Sequence, residues 1–450
     1  MITAIRKGEL LQRVVVALIG VIVLIYSFEG IWGTRDLRPY LYMAPIGVLL
    51  MIVGIVYGRL YQYFDTCLIA LFLVLSWIST IFSLGLSPDF FISRFFCTFM
   101  IFLGMYFIIQ IVPDPIKVFT YFSGIYTAGM SLMCLYVLAH ASRFLLSEDP
   151  WVDMAKGCIK NGRLCGLNNA NSMGIASASL IIVAVFGVLS FGKKYKWFFV
   201  IGLLLGWFCL GLTGCRTAAI GVSFVACIFT LIALYRKLDL INTGLKVVKT
   251  VAVFIFSIAV FVIVLRSFLL PTYIYRIVMT GIAMIMGRNW AIPAISDLVV
   301  RKIGEDDGTL SDRTLIWASC IRQCTKTLRR FLLGISPLSR ENIINIYEGR
   351  HDIKAPHSHN TYLELLRKHG LLGFITWMIL VINWCVMGVK TLFSPKENMS
   401  VKYLCIGAAA ILLMGMAEPV PFSTSLWCYS GIPFFMICGY CIRMRRNELK

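Results

Sequence analysis

The stretch SMGIASASLIIVAVFGVLSF, residues 172–191, holds twenty residues and no charged side chain. A helix needs about 20 mostly apolar residues to cross the hydrocarbon core of a membrane, so this stretch predicts a transmembrane helix. The rest of the chain has the same character, since 59% of its 450 residues are hydrophobic and only 14% are charged. With a mean hydropathy of +0.83, the chain is too apolar for a water-soluble domain of average composition.

Similar apolar stretches recur along the chain, and twelve of them are predicted to span the membrane. They cover residues 14–30, 41–57, 66–85, 95–112, 118–140, 172–191, 197–213, 217–235, 248–268, 371–389, 402–417 and 424–442. The predicted fold class is an all-α polytopic membrane protein with about 12 transmembrane helices and one large extracytoplasmic helical loop. The first stretch lacks a small-residue cleavage site, so it is not interpreted as a cleavable signal peptide.

The basic residues predict how the chain is oriented. The formal net charge is +20, from 42 Lys and Arg against 22 Asp and Glu, and in a soluble protein such an excess would favour nucleic-acid binding. In a membrane protein, short loops rich in Lys and Arg stay in the cytoplasm. Nineteen basic residues lie on the side of the N-terminus and eight in the short loops of the opposite side. Both termini are therefore predicted to be cytoplasmic, and no nucleic-acid partner is predicted.

The segment 269–370 is the one long hydrophilic insertion, and this topology puts it outside the cytoplasm. It divides the chain into three predicted regions. Residues 1–268 hold transmembrane helices 1–9, residues 269–370 form the large loop with the chemical motif, and residues 371–450 hold helices 10–12 and a cytoplasmic tail. A loop of this length is usually functional or disordered. Apolar side chains such as Trp290, Trp317 and Tyr362 give it material to pack, which favours a functional loop.

Four of the five histidines of the chain lie close together in this loop, at His351, His357, His359 and His369. Such residues can simply be part of a solvated loop, and that interpretation is kept for His351 and His369. The same interpretation is open at this point for His359, which directly precedes a predicted helix. The helix dipole disfavours an imidazolium at that position and keeps the ring neutral, as a general base requires.

The predicted helix after His359 covers residues 361–368. Asn360 or Ser358 is predicted to cap its N-terminus, and Gly370 is placed where the helix would stop before the next span. The role of His357, as a partner of His359 or as a spare base, is left open.

Two arginines are candidates for binding an anion. Arg216 follows Gly214-Cys215 at the outer end of a predicted span. An ionisable residue at that depth is expected to be functional, although snorkelling to the lipid headgroups is the alternative. Arg313 is predicted in the first turn of a helix that Ser311 or Asp312 caps and that ends near 330–331, before Gly334. Guanidinium groups and a helix N-terminus suit a phosphate or pyrophosphate.

Further polar residues lie on the same predicted face. Arg163 and Asn171 belong to the entry of the sixth span, where asparagines either cap the helix or hydrogen-bond sugar hydroxyls. Glu418 follows the eleventh span and is predicted to pair with Arg216 or Arg313, or to act chemically. The sequence has no phosphate-binding Gly-rich loop, no zinc-type Cys pattern and no His-Glu-x-x-His. No metal site and no cofactor are therefore predicted.

At these residues the chain resembles the O-antigen ligase and polymerase superfamily of bacterial membrane glycosyltransferases. His359-Asn360, followed after nine residues by Gly370-Leu371-Leu372-Gly373, fits the histidine signature of that family. The segment 213–217, Thr-Gly-Cys-Arg-Thr, resembles the family's Ser-Gly-Ser-Arg-Thr with two substitutions. The segment from Asp312 to Trp317, followed by Leu333-Gly334, is similar to the family's helix with an arginine and a tryptophan. The segment from Arg163 to Asn171 is similar to a less specific element of the family.

The resemblance implies an integral enzyme of the bacterial cytoplasmic membrane whose active site faces away from the cytoplasm. Arg216 and Arg313 would hold the pyrophosphate of an undecaprenyl-pyrophosphate glycan, and His359 would activate the acceptor hydroxyl of a glycan or glycolipid. The expected result is inversion at the anomeric carbon without a metal ion. Asn360, His357, Arg163, Asn171 and Glu418 are expected to support the site.

The sequence leaves three questions open. A polymerase joins repeat units to one another and a ligase attaches finished glycan to a carrier, and the sequence favours neither. The alternative from another class is a secondary transporter or flippase for an anionic lipid or sugar phosphate, with Arg216 on its path. Whether Cys158 and Cys165 form a disulfide is also open.

Overall fold

The computed structural model describes residues 2–32, 39–84, 94–146, 158–160, 162–166, 169–238, 246–298, 309–338, 344–348, 351–355, 357–421 and 428–448. Within these ranges the chain forms sixteen α-helices and two short β-hairpins. The helices are α1 (Ile2–Trp32), α2 (Pro39–Tyr57), α3 (Phe64–Leu84), α4 (Arg94–Ile108), α5 (Pro115–Ala141), α6 (Ala170–Ser190), α7 (Lys196–Thr213), α8 (Arg216–Leu238), α9 (Lys246–Ser267), α10 (Leu270–Ile285), α11 (Ile292–Ser296), α12 (Thr309–Thr325), α13 (Leu328–Leu333), α14 (Thr361–Phe393), α15 (Met399–Met414) and α16 (Cys428–Glu448).

The apolar helices account for all twelve predicted spans. In the described part of the chain, nine segments are long and apolar enough to cross a membrane. Three shorter apolar helices, Phe95–Ile108, Met399–Met414 and Ser430–Met444, cover the remaining predicted spans. The protein is thus an all-α polytopic membrane protein, and the prediction of the fold class is confirmed. The longest apolar segment, Val247–Ile285, also includes α10, which lies beyond the predicted end of the ninth span at residue 268.

The stretch 172–191 forms most of α6, the most enclosed of the nine long segments. Of its apolar window 83% is buried, against 50% or less in each of the other eight. Small residues allow helices to approach closely in a membrane, and Gly174 is an example. A Cβ atom at Gly174 would lie only 2.3 Å from Cβ of Cys215. The first turns of α6 therefore pack directly against the turn between α7 and α8.

The loop before α14 differs in detail from its prediction. The helix that carries Arg313 begins at Thr309, so the prediction that Ser311 or Asp312 caps it is wrong, and Arg313 lies in the second turn. A negative charge is stabilising near the N-terminus of a helix, so Asp312 suits a position inside the first turn as well as the position of a cap. The predicted helix to 330–331 is divided in two, because the Thr327 side chain accepts a hydrogen bond from the Arg330 amide and caps α13 separately.

Two β-hairpins, which the sequence did not predict, complete the described loops. Strands β1 (Ile159–Lys160) and β2 (Arg163–Leu164) form the first, before α6. Strands β3 (Ile344–Glu348) and β4 (His351–Ala355) form the second, inside the large loop, and Ile346 pairs with Ile353. Alternating isoleucines in β3 were a visible signal for this hairpin.

A contact between two glycines connects the end of the large loop to α14. Gly370 interrupts α14 with a φ of 65° and a ψ of −176°, so the predicted helix end at Gly370 is confirmed as a break. A Cβ atom there would lie 2.4 Å from the Gly334 amide nitrogen and from the Leu332 carbonyl oxygen. Only glycine fits this close approach with a positive φ. The contact fixes the end of α13 against the first turns of α14, which follow His359.

Candidate active site

The carboxylate of Glu418 is the centre of a polar cluster at one end of the helices. Glu418 lies in the turn after α15 and its side chain is 1% exposed. Its Oε1 atom accepts hydrogen bonds from Arg313 Nη2 at 2.8 Å and from Asn171 Nδ2 at 2.6 Å. Its Oε2 atom lies 3.3 Å from His359 Nδ1. Three segments that are distant in the sequence therefore meet at one carboxylate.

The cluster balances its charge internally. A buried carboxylate is costly unless positive charge and hydrogen bonds compensate it. Arg313 supplies the charge and stays 20% exposed, and the side chain of His359 is 27% exposed. The sequence allowed Arg216 or Arg313 as the partner of Glu418, and in the structure Arg313 forms this ion pair. The guanidinium of Arg313 and the imidazole of His359 are therefore partly accessible to solvent, whereas the carboxylate that they share is buried.

Arg163 extends the cluster towards the turn before α8. Its Nη2 donates to Asn171 Oδ1 at 3.1 Å, and its Nε donates to the Thr213 carbonyl oxygen at 2.7 Å. Asn171 is thus bonded to Arg163 on one side and to Glu418 on the other. The cap of α6 is a different asparagine, Asn169. Capping, one of the two roles that the sequence allowed for these asparagines, therefore belongs to Asn169, and hydrogen bonding to sugar hydroxyls stays a prediction.

Arg216 is the first residue of α8, as its predicted place at a helix end requires. It lines a small cavity with Phe268 and Thr272. Its neighbour Cys215 is buried. The pKa of the Cys215 thiol is raised to about 11. Burial raises it most, the negative charge of Glu418 adds to this, and the nearby charges of Arg163 and Arg313 oppose part of the increase. The turn that carries Arg216 therefore adjoins the Glu418 cluster.

His359 has a strained backbone that its neighbours hold in place. Its φ is 50°, in the left-handed region, which costs a non-glycine residue about 1–3 kcal/mol. On the C-terminal side, Asn360 caps α14 as predicted, because its side chain accepts from the Tyr362 and Leu363 amides. Asn360 Nδ2 also donates to the Met416 carbonyl oxygen at 2.9 Å. The cap fixes His359 relative to the turn that carries Glu418.

Ser358 holds the other side of His359 with three hydrogen bonds. Its amide donates to Glu364 Oε2 at 3.1 Å, and its hydroxyl donates to the Asn360 carbonyl oxygen at 2.7 Å. Its carbonyl oxygen accepts from Trp317 Nε1 at 2.9 Å. Trp317 lies one turn after Arg313 on α12. The same helix therefore contacts His359 from two directions, through Glu418 and through Ser358.

Glu364 is itself fixed by two cations, and the sequence analysis did not single it out. Its Oε1 atom lies 2.7 Å from Arg367 Nη2 and 3.1 Å from Lys368 Nζ, and the Arg367 side chain is fully buried. These pairs have the i,i+3 and i,i+4 spacing of helical ion pairs. That spacing was the signal that could have identified Glu364 as a structural anchor of the His359 turn.

The Trp317 hydrogen bond gives a testable prediction. We expect Trp317→Phe to keep the ring packing and to remove the donor to Ser358. A lost neutral hydrogen bond is worth about 0.5–1.5 kcal/mol, so turnover should fall by up to about tenfold while donor affinity is unchanged. Trp290→Phe, at a ring that stacks on Arg288, is the matched control. Steady-state kinetics of both variants check this prediction. Equal turnover of Trp317→Phe and Trp290→Phe would refute the role of Trp317 in positioning His359.

His357 serves His359 as a backbone partner. Its Nδ1 accepts a hydrogen bond from the His359 amide at 3.3 Å, and the two rings meet edge to face with centroids 4.2 Å apart. Burial, and after it the charge of His359, lower the pKa of His357 to about 3. His357 is therefore neutral at physiological pH, which suits an acceptor at Nδ1.

A second prediction follows for His357. An asparagine side chain accepts from the amide two residues on in the same way, so we expect His357→Asn to retain most of the transfer activity. His357→Ala should lose more, because the His359 amide loses its acceptor. If His357 were a base, both variants would be equally inactive, and a comparison of their turnover distinguishes the two roles.

His369 pairs with a serine of α3, and Cys165 contacts the cluster through the Arg163 carbonyl oxygen, 3.5 Å from its Sγ. His369 is buried in α14, where its Nδ1 lies 2.8 Å from Ser76 Oγ, so the interpretation that it belongs to a solvated loop is wrong. His351 belongs to β4, and its side chain is outside the described residues. Cys158 and Cys165 are free thiols at opposite positions of the β1–β2 hairpin, where the Cys165 amide donates to the Cys158 carbonyl oxygen at 2.7 Å.

The geometry allows acid–base chemistry next to a bound anion. With a proton on Nδ1 of His359 shared with Glu418, the Nε2 atom keeps a lone pair that can take a proton from a hydroxyl. The hydrogen bond of Arg313 to Glu418 uses Nη2, and a guanidinium has five N–H donors. Arg313 can therefore bind Glu418 and a phosphate oxygen together.

Six of the eight residues singled out from the sequence are joined by hydrogen bonds, namely Arg163, Asn171, Arg313, His357, His359 and Glu418, and Asn360 directly follows His359 in the chain. Arg216 lies three residues after Thr213, whose carbonyl oxygen accepts a hydrogen bond from Arg163. Residues 201–378 match the family model described as O-antigen ligase, and this match confirms the resemblance that the motifs predicted. A comparison with curated proteins finds no match. The matched segment includes Arg216, Arg313 and His359, whereas Arg163, Asn171 and Glu418 lie outside it.

Proposed function

We propose that the protein is an inverting, metal-independent membrane glycosyltransferase of the bacterial cytoplasmic membrane, a proposal supported by the match of residues 201–378 to the O-antigen ligase family model. Its donor is a glycan on undecaprenyl pyrophosphate, its acceptor is a hydroxyl of another glycan or glycolipid, and its product is cell-surface polysaccharide. Both termini lie in the cytoplasm and the site faces the opposite side. The observation that carries the proposal is the contact of Glu418 with both His359 and Arg313.

His359 is the proposed general base. Its Nε2 atom takes the proton of the acceptor hydroxyl while the hydroxyl oxygen attacks the anomeric carbon. The bond from that carbon to the pyrophosphate oxygen breaks, and its electron pair leaves with undecaprenyl pyrophosphate. One displacement of this kind inverts the configuration. Glu418, hydrogen-bonded to Nδ1, orients the ring and stabilises the imidazolium that forms, in the manner of the acid in a hydrolase triad.

Arg313 and Arg216 are the proposed ligands of the pyrophosphate. Negative charge grows on the leaving group in the transition state, and fixed cations in a dry site stabilise it strongly. A guanidinium pairs with phosphate oxygens through two parallel hydrogen bonds. Two arginines supply this charge themselves, which is the reason for proposing a reaction without a metal ion.

An apolar cavity supports a lipid-linked donor. It has a volume of about 250 Å³ and lies among α8, α14, α15 and α16, with Phe224, Gly388 and Leu412 in its lining. The Leu412 carbonyl oxygen accepts a hydrogen bond from the hydroxyl of Tyr362, in the first turn of α14. The lining therefore runs from Leu412, which is linked to the first turn of α14, to Leu392 near the end of α14, and we propose that the prenyl chain lies along it.

The donor site is tested by Arg313→Ala. We expect the affinity for undecaprenyl pyrophosphate to fall by more than about tenfold, since charge-assisted hydrogen bonds are worth about 1.5–3 kcal/mol. The matched control is Arg322→Ala, at an exposed arginine in the last turn of the same helix. Titration of the purified variants measures this, and equal affinity of Arg313→Ala and the unchanged protein would refute the assignment.

The products decide between the two forms of the reaction. Purified protein incubated with a lipid-linked repeat unit gives a ladder of increasing glycan length if it is a polymerase. A single transfer to a separate lipid or protein indicates a ligase.

A further inference from the structure

A groove between α1 and α5 lies outside the site described above. Its volume is about 660 Å³. One end of its lining is polar and includes Glu9, Arg13 and Lys117, whereas the remainder is apolar and includes Val21, Leu24 and Ile125. A groove that is charged at one end and apolar along the rest of its length suits an amphiphilic ligand.

The two helices run side by side from the same end, which places the charged residues at defined depths. The Asp114 amide donates to Gln12 Oε1 at 3.3 Å, so the N-terminus of α5 lies level with Gln12 of α1. Further along, a Cβ atom at Gly20 would lie 3.1 Å from Ile125 Cδ1. With a rise of about 1.5 Å per residue, Lys117 lies within about one turn of the depth of Arg13.

Glu9 lies at a different depth from the two cations. It precedes Arg13 by one helical turn, about 6 Å, on the side away from the apolar lining. Along the groove the order of features is thus a carboxylate, then two cations, then apolar side chains. A membrane lipid with the complementary order carries an amine outermost, then a phosphate, then an acyl chain.

We propose that this groove binds phosphatidylethanolamine. The phosphate pairs with Arg13 and Lys117, the terminal ammonium pairs with Glu9, and one acyl chain lies along Val21 and Leu24. Basic pockets between transmembrane helices recognise phospholipid headgroups in this way. The carboxylate selects an amine headgroup over the glycerol headgroup of phosphatidylglycerol. This site is independent of the glycosyl transfer proposed above.

Lipid retention on the purified full chain tests the proposal. The protein is exchanged into equal parts of phosphatidylethanolamine, phosphatidylglycerol and phosphatidylcholine, and bound lipids are counted by native mass spectrometry. We expect preferential retention of phosphatidylethanolamine. The double variant Arg13→Gln, Lys117→Gln should lower retention of this lipid by more than about tenfold, as two charge-assisted contacts are lost.

Glu9→Gln separates headgroup selection from phosphate binding. It should remove the preference for phosphatidylethanolamine over phosphatidylglycerol and leave the total retained phospholipid unchanged. Arg59→Gln, at a basic residue between α2 and α3 that is absent from the groove lining, is the matched control and should behave as the unchanged protein. Thermal unfolding confirms that each variant is folded. Equal retention of the three lipids by the unchanged protein, or undiminished retention by the double variant, would overturn the proposal.

Discussion

We expect His359→Gln to lower the rate of the proposed glycan transfer by about 10²–10⁴-fold, the usual contribution of a positioned general base. Donor affinity should stay unchanged, because the proposed ligands of the pyrophosphate are Arg216 and Arg313. The glutamine occupies a similar volume and can still donate to Glu418, so the buried acid keeps its partners. The two effects are measured by turnover of a lipid-linked donor and by titration with undecaprenyl pyrophosphate.

A matched histidine variant controls for this experiment. His140 lies in α5, where its ring stacks on Tyr136, and His140→Gln should leave both turnover and donor affinity unchanged. Turnover of His359→Gln within a few-fold of the unchanged protein would show that another group takes the proton. A loss of donor affinity equal to the loss of turnover would instead show that His359 contributes to binding.

Glu418→Gln should be nearly as inactive as His359→Gln, for a reason that the hydrogen bonds dictate. Arg313 and Asn171 both donate to Oε1 of Glu418, so a glutamine must direct its oxygen towards them. Its amide nitrogen then faces His359 Nδ1 and donates to it. The ring proton moves to Nε2, and the atom that has to accept the proton of the acceptor is blocked. We therefore expect turnover to fall by about 10²–10⁴-fold.

The stability of Glu418→Gln should change less than its activity. Removing one charge of a buried ion pair costs about 3–5 kcal/mol, but Arg313 is 20% exposed and water can compensate part of its charge. Glu397→Gln is the control, because Glu397 is also buried and accepts from the Tyr440 hydroxyl at 2.9 Å, before the opposite end of α15. It should lower thermal stability and leave turnover unchanged. A fully active Glu418→Gln would contradict the orienting role.

Local signals explain why much of the fold was predictable from the sequence. Long apolar runs such as 172–191 predict spans because the membrane thickness sets the length of a helix. Asn360 as a cap and Gly370 as a break depend on backbone preferences within a few residues. These features need no knowledge of distant contacts, and the structure has them at the predicted positions.

Features that depend on distant residues were not determined by the sequence pattern. The start of α12 at Thr309 was missed, because Ser311 and Asp312 suit a cap and a first helical turn equally. Glu418 had two candidate arginine partners until folding brought Arg313 to it. The support of Ser358 by Trp317 joins residues from two helices, and no short-range spacing encodes such a contact.

The Glu418 cluster is proposed to transfer a glycan from a lipid pyrophosphate to a hydroxyl. The most direct measurement uses the purified chain in proteoliposomes with an undecaprenyl-pyrophosphate glycan and an acceptor, and follows both products. We expect one undecaprenyl pyrophosphate released for each new glycosidic bond, with inverted anomeric configuration, and a release about 10²–10⁴-fold slower with His359→Gln. Retention of configuration, or movement of the donor across the bilayer with its sugar–phosphate bond intact, would contradict the claim.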